Sequence, residues 1–225
     1  MRTILYYAAT AGYDKKEQDR RLASMAPFIP DGYRVVFSIE REGPEFLDRA
    51  EDFSRAVDAL KASIQRIGPE DCDALIAGGA LDPGVSAARE LARVPVIAPG
   101  EASLYIAFLT GLPLSIVTVD EHAVAAAQKF VEAARLKPEV VSIRSMDTPV
   151  RKIVANIDEG RTALVREATA AVNDDGARAI YLGSMTLPTL GLAAKLRDDL
   201  QVPVFDPLRI AIRMAVEVIA SKPGD

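Results

Sequence analysis

The stretches ALIAGGALDPGVSAAREL (residues 74–91) and AIYLGSMTLPTLGLAAKL (residues 179–196) share one pattern. Each begins with a short apolar run, continues through glycine and proline, and ends with apolar residues at helical spacing. Farther along the chain, VPVIAP (94–99) matches VPVFDP (202–207) in the same order. This internal repeat indicates two similar halves.

Outside the repeat, short β-branched runs alternate with longer helical stretches. The predicted strands are Arg2–Tyr7, Tyr33–Glu40, Ala74–Ala77, Val94–Ala98, Leu114–Val119, Val140–Arg144, Ala179–Leu182 and Val202–Phe205. The predicted helices cover 15–26, 44–67, 82–92, 101–110, 121–135, 154–174, 188–200 and 208–220. Strands that alternate with helices in this way form parallel sheets from βαβ units. The predicted fold class is therefore α/β, with two pseudo-symmetric halves that each hold a parallel sheet flanked by helices.

Composition places the chain among ordinary globular proteins. Of 225 residues, 49% are hydrophobic and 26% are charged, which excludes a disordered chain. The net charge of −5 gives no footprint for nucleic acid or an anionic membrane, and no apolar run is long enough to span a membrane. One cysteine and one histidine exclude an intramolecular disulfide and a zinc cluster. No metal or organic cofactor is expected, and the lack of a signal peptide favours the cytoplasm.

The ends of the strands predict where a ligand binds. In open parallel sheets, ligands lie beyond the carboxyl ends of the strands. This rule selects five segments, which are Ala8–Gly12, Gly78–Leu81, Thr118–His122, Arg144–Met146 and Gly183–Thr186. A pseudo-twofold would place the second and the last of them on opposite sides of one cleft. Each of these two loops leads toward a predicted helix N-terminus, whose free N–H groups favour a small anion or imide. The alternative is that these residues have only structural roles. The glycines would then turn the chain, Asp82 would cap one helix, and Ser184 or Thr186 would cap another.

Few other side chains suit catalysis at this end of the strands. His122, in the sequence TVDEH, is the only imidazole, and imidazole normally titrates near neutral pH. The alternative is an exposed residue in the first turn of a helix. Cys72 precedes its strand at the amino end, so a catalytic thiol is not expected there. Tyr6 and Tyr7 point to opposite faces of the first strand, so we expect one in the core and allow the other to face the cleft.

Three stretches resemble the aspartate/glutamate/hydantoin racemase superfamily, and its hydantoin racemase branch in particular. They cover 73–103, 112–119 (LPLSIVTV) and 177–207. The resemblance implies two pseudo-symmetric α/β halves with the active site between them, and a C-terminal helix that returns to the first half. The halves would then be 1–98 plus 208–225, and 99–207. The resemblance also implies a homo-oligomer.

The positions that match the family's two catalytic cysteines differ in this chain. In the family, one thiolate removes the α-proton and the other thiol delivers a proton to the opposite face. The matching residues are Gly79 and Ser184. Glycine has no acid–base group, and a serine hydroxyl needs an adjacent base. The residues therefore exclude the two-cysteine mechanism, and His122 and Asp206 are the candidate bases for Ser184.

The binding apparatus that the resemblance implies is still present. The expected catalytic residues are Ser184 and His122, and the expected substrate-binding residues are Thr10, Gly79, Ala80, Leu81, Thr118, Met185, Thr186 and Asp206. Preorganised N–H and hydroxyl donors of this kind stabilise a developing oxyanion.

Two functions follow from these residues. The first is an enzyme that acts on a small carboxylate, imide or hydantoin-like substrate through oxyanion or enolate stabilisation. It would be an isomerase, a lyase or decarboxylase, or a ring-opening hydrolase. The second is a ligand-binding protein that kept the cleft and lost catalysis. A base within hydrogen-bonding distance of Ser184 favours the enzyme, and a Ser184 that only caps its helix favours the binding protein. A third possibility, an unrelated doubly wound α/β protein, requires the repeat to be accidental.

Overall fold

A computed structural model describes residues 1–47 and 49–222 of the chain. These residues form two compact units, Met1–Pro99 together with the segment from Leu208 onward, and Gly100–Pro207. Residue 48, inside a predicted helix, and residues 223–225, at the end of the predicted first half, lie outside the described residues.

Strands and helices alternate through both units and are numbered in chain order. The first unit contains β1 (Arg2–Ala8), α1 (Lys15–Met25), β2 (Tyr33–Ile39), α2 (Ala50–Ile64), β3 (Ala74–Ala77), α3 (Val85–Leu91) and β4 (Val96–Ile97). The second unit follows with α4 (Pro99–Thr110), β5 (Leu114–Thr118), α5 (Glu121–Ala133), β6 (Val140–Ser145), α6 (Val150–Ala155), α7 (Ile157–Asn173), β7 (Ala179–Leu182), α8 (Ala193–Leu200) and β8 (Val204–Phe205). The last helix, α9 (Pro207–Ala220), belongs to the first unit. Within 1–47 and 49–222, no helix is both long and apolar enough to cross a membrane.

The two sheets have the same strand order. That order is β2-β1-β3-β4 in the first unit and β6-β5-β7-β8 in the second, and neighbouring strands are parallel throughout. The inner strands β3, β5 and β7 are buried along their whole length, because helices cover both faces of such sheets. The edge strands β2 and β6 are partly exposed. The predicted α/β fold of two similar halves is confirmed.

Helix α2 supplies much of the core of the first unit. Its residues Ala56, Leu60 and Ile64 recur at helical spacing and are almost fully buried in one cluster with Leu5 and Leu75 of the sheet. Burial of this apolar stripe fixes α2 against the face of the sheet that it covers.

The loops after β3 and β7 leave their sheets in the same way. The N–H of Gly78 donates to the carbonyl of Tyr7 at 2.7 Å, and the N–H of Gly183 donates to the carbonyl of Val117 at 2.8 Å. A Cβ on Gly78 would lie 2.5 Å from that Tyr7 oxygen, and a Cβ on Gly183 would lie 2.8 Å from Cγ2 of Ile116. Neither position accepts a side chain without movement of the neighbouring strand, which explains the glycine that the two repeats share.

Four helices, α2, α3, α7 and α8, begin later than predicted. Helix α2 begins at Ala50 rather than at position 44, and the N–H of Arg49 donates to Oδ2 of Asp52 at 3.0 Å at its start. Helix α3 begins at Val85 rather than at position 82, because Asp82 has a φ of 50° and Gly84 a φ of 76°. The prediction that Asp82 caps this helix is therefore wrong, since Gly84 occupies the N-cap position.

Candidate functional site

Thr10 follows β1 and carries a hydroxyl that is buried without a hydrogen-bond partner among the described residues. Its loop is otherwise well held, because the N–H groups of Ala11 and Gly12 donate to the carbonyls of Pro44 and Glu45 at 2.9 and 2.8 Å. A buried hydroxyl without a partner costs about 1–3 kcal/mol. An unsatisfied buried group of this kind calls for an explanation, and this makes Thr10 a candidate for contact with a ligand or a water molecule.

The Gly78–Leu81 loop has some of its donors occupied. The N–H of Gly79 donates to the carbonyl of Ala77 at 2.8 Å, and the carbonyl of Gly79 accepts the N–H of Asp82 at 3.2 Å. Ala80 is buried. In the part of the chain that the structure describes, the N–H of Leu81 has no hydrogen-bond partner. The Leu81 amide is therefore a donor of this loop that a ligand can use.

Gly79 has no room for a side chain. A Cβ at this position would lie 2.4 Å from Cδ and 2.9 Å from Cγ of Pro83. The proline ring is closed onto its own backbone and cannot swing aside as a long side chain does. The position that matches a family cysteine therefore accepts a thiol only if Pro83 moves.

In the second unit, Ser184 takes part in a tight turn. Its hydroxyl accepts the N–H of Thr186 at 3.3 Å, and its carbonyl accepts the N–H of Leu187 at 3.1 Å. A short 3-10 helix, Pro188–Leu190, follows at once. The N–H of Ser184 itself has no hydrogen-bond partner within the described residues. The hydroxyl thus stabilises the turn, and the amide is available to a ligand.

The two candidate bases are not bonded to this hydroxyl. His122 is exposed near the start of α5, next to Asp120, whose side chain accepts the N–H of Ala123 at 2.9 Å. Asp206 is buried after β8. Within residues 1–47 and 49–222, no hydrogen bond joins Ser184 to either residue. An activated serine is therefore not assembled here.

Thr118 shapes the loop that carries Ser184. Its hydroxyl donates to the carbonyl of Gly183 at 3.1 Å, and its side chain is fully buried. Met185 and Thr186 are buried in the same loop, and the hydroxyl of Thr189 donates to the carbonyl of Thr186 at 2.6 Å. These contacts hold the loop in one conformation.

The predicted site residues therefore fall into two groups, one in each unit. Thr10 and the Gly79–Leu81 segment follow the neighbouring strands β1 and β3, and Thr118 and the Ser184–Thr186 segment follow the neighbouring strands β5 and β7. Neither loop opens directly onto an α-helix, because Asp82–Gly84 precede α3 and a 3-10 helix follows Ser184–Thr186. The expectation of an anion site at an α-helix N-terminus is corrected accordingly: the free donors are loop amides.

The only cysteine cannot replace the missing thiols. Cys72 is buried just before β3, at the amino end of the strand. Burial raises the pKa of its thiol to about 11, and the carboxylates of Asp71 and Asp73 add to this effect. The thiol is therefore protonated at neutral pH and is a poor nucleophile or base.

Sequence reasoning missed two features near these loops. One is the contact of Pro83 with Gly79, which no spacing rule reveals. The other is a polar cluster in the first unit. Tyr6 stacks on Phe37 with ring centroids 5.1 Å apart, whereas the hydroxyl of Tyr7 donates to the buried carboxylate of Glu40. The acidic residue that ends the apolar run YRVVFSIE was the available signal for this cluster.

Comparison with known proteins assigns the family. The sequence profile described as Asp/Glu/Hydantoin racemase matches residues 20–215. This chain belongs to the Asp/Glu/hydantoin racemase family. The hydantoin racemase of Rhizobium meliloti is 26% identical over 187 residues, which cover 83% of this chain and 77% of the relative. The hydantoin racemase of Paenarthrobacter aurescens is 28% identical over 179 residues, which cover 79% and 75%. The predicted resemblance is confirmed.

Solved structures share the fold of this racemase-family chain. An allantoin racemase from Klebsiella pneumoniae superimposes with a TM-score of 0.86 at 23% identity, over 98% of this chain and 88% of the other. An allantoin racemase from Pseudomonas fluorescens gives the same TM-score and identity over 97% and 91%. At this level of identity, the likeness shows the fold alone.

Proposed function

We propose that this racemase-family protein is an enzyme that stabilises the enolate form of a hydantoin-like cyclic imide or a related small carboxylate, without a pair of thiols. The observation that carries the proposal is the buried hydroxyl of Thr10, which lacks a partner among the described residues. An oxygen of the ligand supplies that partner. Relatives named hydantoin racemases favour the cyclic imide among these substrates.

Two donors of the first unit are assigned to the substrate oxygen: the Thr10 hydroxyl and the N–H group of Leu81. When the α-proton leaves a cyclic imide, negative charge moves onto a carbonyl oxygen. Donors that are already oriented bind this oxyanion better than the neutral carbonyl, and therefore lower the barrier. One such donor is worth about 3 kcal/mol in a water-excluded site.

Proton transfer needs a separate group in this chain. Gly79 has no side chain, and the Ser184 hydroxyl bonds to a backbone amide rather than to a base. We assign proton removal to His122, whose exposed imidazole has no hydrogen-bond or ion-pair partner in the described part of the chain. Oxyanion binding and proton transfer are thus assigned to different residues of this chain.

A second function is favoured by the turn at Ser184. The hydroxyl accepts the Thr186 N–H and has no base bonded to it in the described residues, as expected if Ser184 only stabilises its loop. In this alternative the same donors hold a small carboxylate or imide, and no reaction follows.

The test is proton NMR of the protein in deuterated water with a panel of substituted hydantoins, amino acids, malonates, maleate and maleamate. Loss of an α-proton signal, decarboxylation, isomerisation and ring opening are each visible in the same spectra. The informative variant is Thr10→Val, which removes the hydroxyl and keeps the branched shape. The matched control is Thr162→Val, since Thr162 is exposed on α7 and its hydroxyl donates, among the described residues, to the carbonyl of Asp158 alone.

We expect exchange at the α-carbon of a hydantoin, slowed by Thr10→Val and unaffected by Thr162→Val. His122→Gln should slow exchange without weakening binding. Broadening of ligand signals without any reaction would support the binding protein instead. Neither reaction nor broadening across the panel would overturn both functions.

A further inference from the structure

A cavity of about 380 Å³ lies in the first unit and contains none of the loop residues assigned to the substrate. It lies within the size range of small-molecule sites. Its polar lining consists of three hydroxyl-bearing residues and four charged residues. These are Ser38, Tyr7 and Ser63, with Glu40, Arg41, Glu42 and Arg66.

The inner wall of the cavity is a fixed hydrogen-bond network around Glu40. Its carboxylate is buried and accepts the hydroxyls of Tyr7 and Ser63 on one oxygen, and the N–H of Glu42 at 3.0 Å on the other. Burial raises the pKa of Glu40, but these three hydrogen bonds and the charge of Arg66 outweigh burial and leave the pKa below its ordinary value. Glu40 is therefore a negative charge whose acceptor positions are mostly used within the protein.

Arg66 extends this network to the open side of the cavity. One of its terminal nitrogens donates to the Ser63 hydroxyl at 3.0 Å, which orients the guanidinium toward the cavity. The other N–H groups of its side chain have no partner within the described residues. A guanidinium held in this way binds a carboxylate through parallel hydrogen bonds.

The other two charged residues of the lining are Arg41 and Glu42, which are both exposed. Among the described residues, the side chains of Arg41 and Glu42 take part in no hydrogen bond or ion pair. The four charged lining residues therefore sum to zero, with two guanidinium groups and two carboxylates. A neutral lining with separated charges favours a zwitterion over a simple anion or a simple cation, because each charge of the ligand meets an opposite charge.

We propose that this cavity binds a small zwitterion of the free α-amino-acid class, with the ligand carboxylate on Arg66 and the ligand ammonium on Glu42. Arg41 adds positive charge on the carboxylate side. Glu40 does not contact the ammonium directly; it orients Ser63 and, through it, Arg66.

Isothermal titration calorimetry of the full chain with glycine, alanine, serine and glutamate tests the proposal. Acetate and methylammonium serve as single-charge probes. The informative variants are Arg66→Gln and Glu42→Gln, which each replace a charged side chain with a neutral polar one. The matched control is Arg55→Gln, because Arg55 is an exposed arginine of α2, the helix that ends just before Arg66, and among the described residues it pairs with Asp52 alone, at 3.8 Å.

We expect at least one amino acid to bind at millimolar concentrations, with both single-charge probes weaker. Each of the two charge-removing variants should weaken binding about tenfold, and Arg55→Gln should not change it. Binding should persist in Thr10→Val, which separates this cavity from the proposed substrate donors. No amino-acid binding, equal binding of acetate, or binding that survives both Arg66→Gln and Glu42→Gln would each overturn the proposal.

Discussion

A Cβ on Gly79 would lie 2.4 Å from Cδ of Pro83, closer than real Cβ atoms approach another heavy atom. The two residues are therefore coupled, because the proline ring fills the space that a side chain at position 79 would need. A thiol at position 79 is thus blocked by the geometry of its loop as well as by the identity of the residue.

The first prediction concerns the stability of Gly79→Cys. Overpacking of this kind lowers the free energy of unfolding by about 1–3 kcal/mol, and urea denaturation measures the loss. Adding Pro83→Ala should recover part of it, because the colliding ring is removed. The matched control is Ser184→Cys, which exchanges one small side chain for another and should have a smaller effect. Equal urea midpoints for Gly79→Cys and wild type would contradict the assigned contact.

A second prediction concerns restored thiols. The double variant Gly79→Cys with Ser184→Cys should increase the rate of hydantoin racemisation, because it restores both thiols. The further change Pro83→Ala should increase this rate again. The reason is that the thiol at position 79 needs space to reach its working orientation. Exchange of the α-proton in deuterated water measures the gain. Absence of exchange in the triple variant would contradict this prediction.

The third prediction concerns Ser184→Ala. The change removes the acceptor of the Thr186 N–H, so it should lower the free energy of unfolding by about 1 kcal/mol. Turnover should fall by less than about tenfold, since loss of a group that transfers protons costs about 10²–10⁴. The control is Ser184→Thr, which keeps a hydroxyl for the turn. Complete loss of turnover in Ser184→Ala would make the hydroxyl a chemical participant.

The sequence predicted the strands well because the apolar pattern of buried strands is local. The predicted strands Ala74–Ala77 and Ala179–Leu182 match β3 and β7 at both ends. Helix α3 was less predictable, because the left-handed conformations of Asp82 and Gly84 delay its start, and a Pro at an expected first turn hides that delay.

The sequence indicated which loops carry candidate ligand donors, but not which of those donors are free. The rule for the carboxyl ends of strands selected Thr10, Leu81 and Ser184, all of which carry free donors among the described residues. It could not tell that the N–H of Gly79 and the hydroxyl of Thr118 are used within the protein. Hydrogen bonds between segments far apart in the chain leave no mark on local sequence patterns.

A fourth prediction follows from the buried hydroxyl of Thr10. Thr10→Val should raise the free energy of unfolding by about 1 kcal/mol, because an unsatisfied buried polar group is replaced by a methyl group. The same change should lower turnover by about 10²-fold, as expected for the loss of one oxyanion donor. Urea denaturation and α-proton exchange measure the two effects. A variant that loses both stability and activity would show that the hydroxyl already has a structural partner.

The last prediction concerns the pH dependence of stability at Glu40. Its folded-state pKa lies below the ordinary value of 4.5, so the unfolded chain takes up the proton at a higher pH than the folded chain does. The stability that Glu40 contributes is therefore complete above about pH 4.5 and is lost as the pH falls through the folded-state pKa. Tyr7→Phe removes one of the hydrogen bonds that lower this pKa. The free energy that the variant loses relative to wild type should be largest at neutral pH and shrink in acid.

Urea denaturation of wild type and Tyr7→Phe at about pH 7 and about pH 3 measures this change. Tyr33→Phe on β2 is the matched control, because the Tyr33 hydroxyl has no hydrogen-bond partner in the described residues. Its effect should be independent of pH. A difference for Tyr7→Phe that stays constant between the two pH values would mean that the Tyr7 hydroxyl does not favour the ionised form of Glu40.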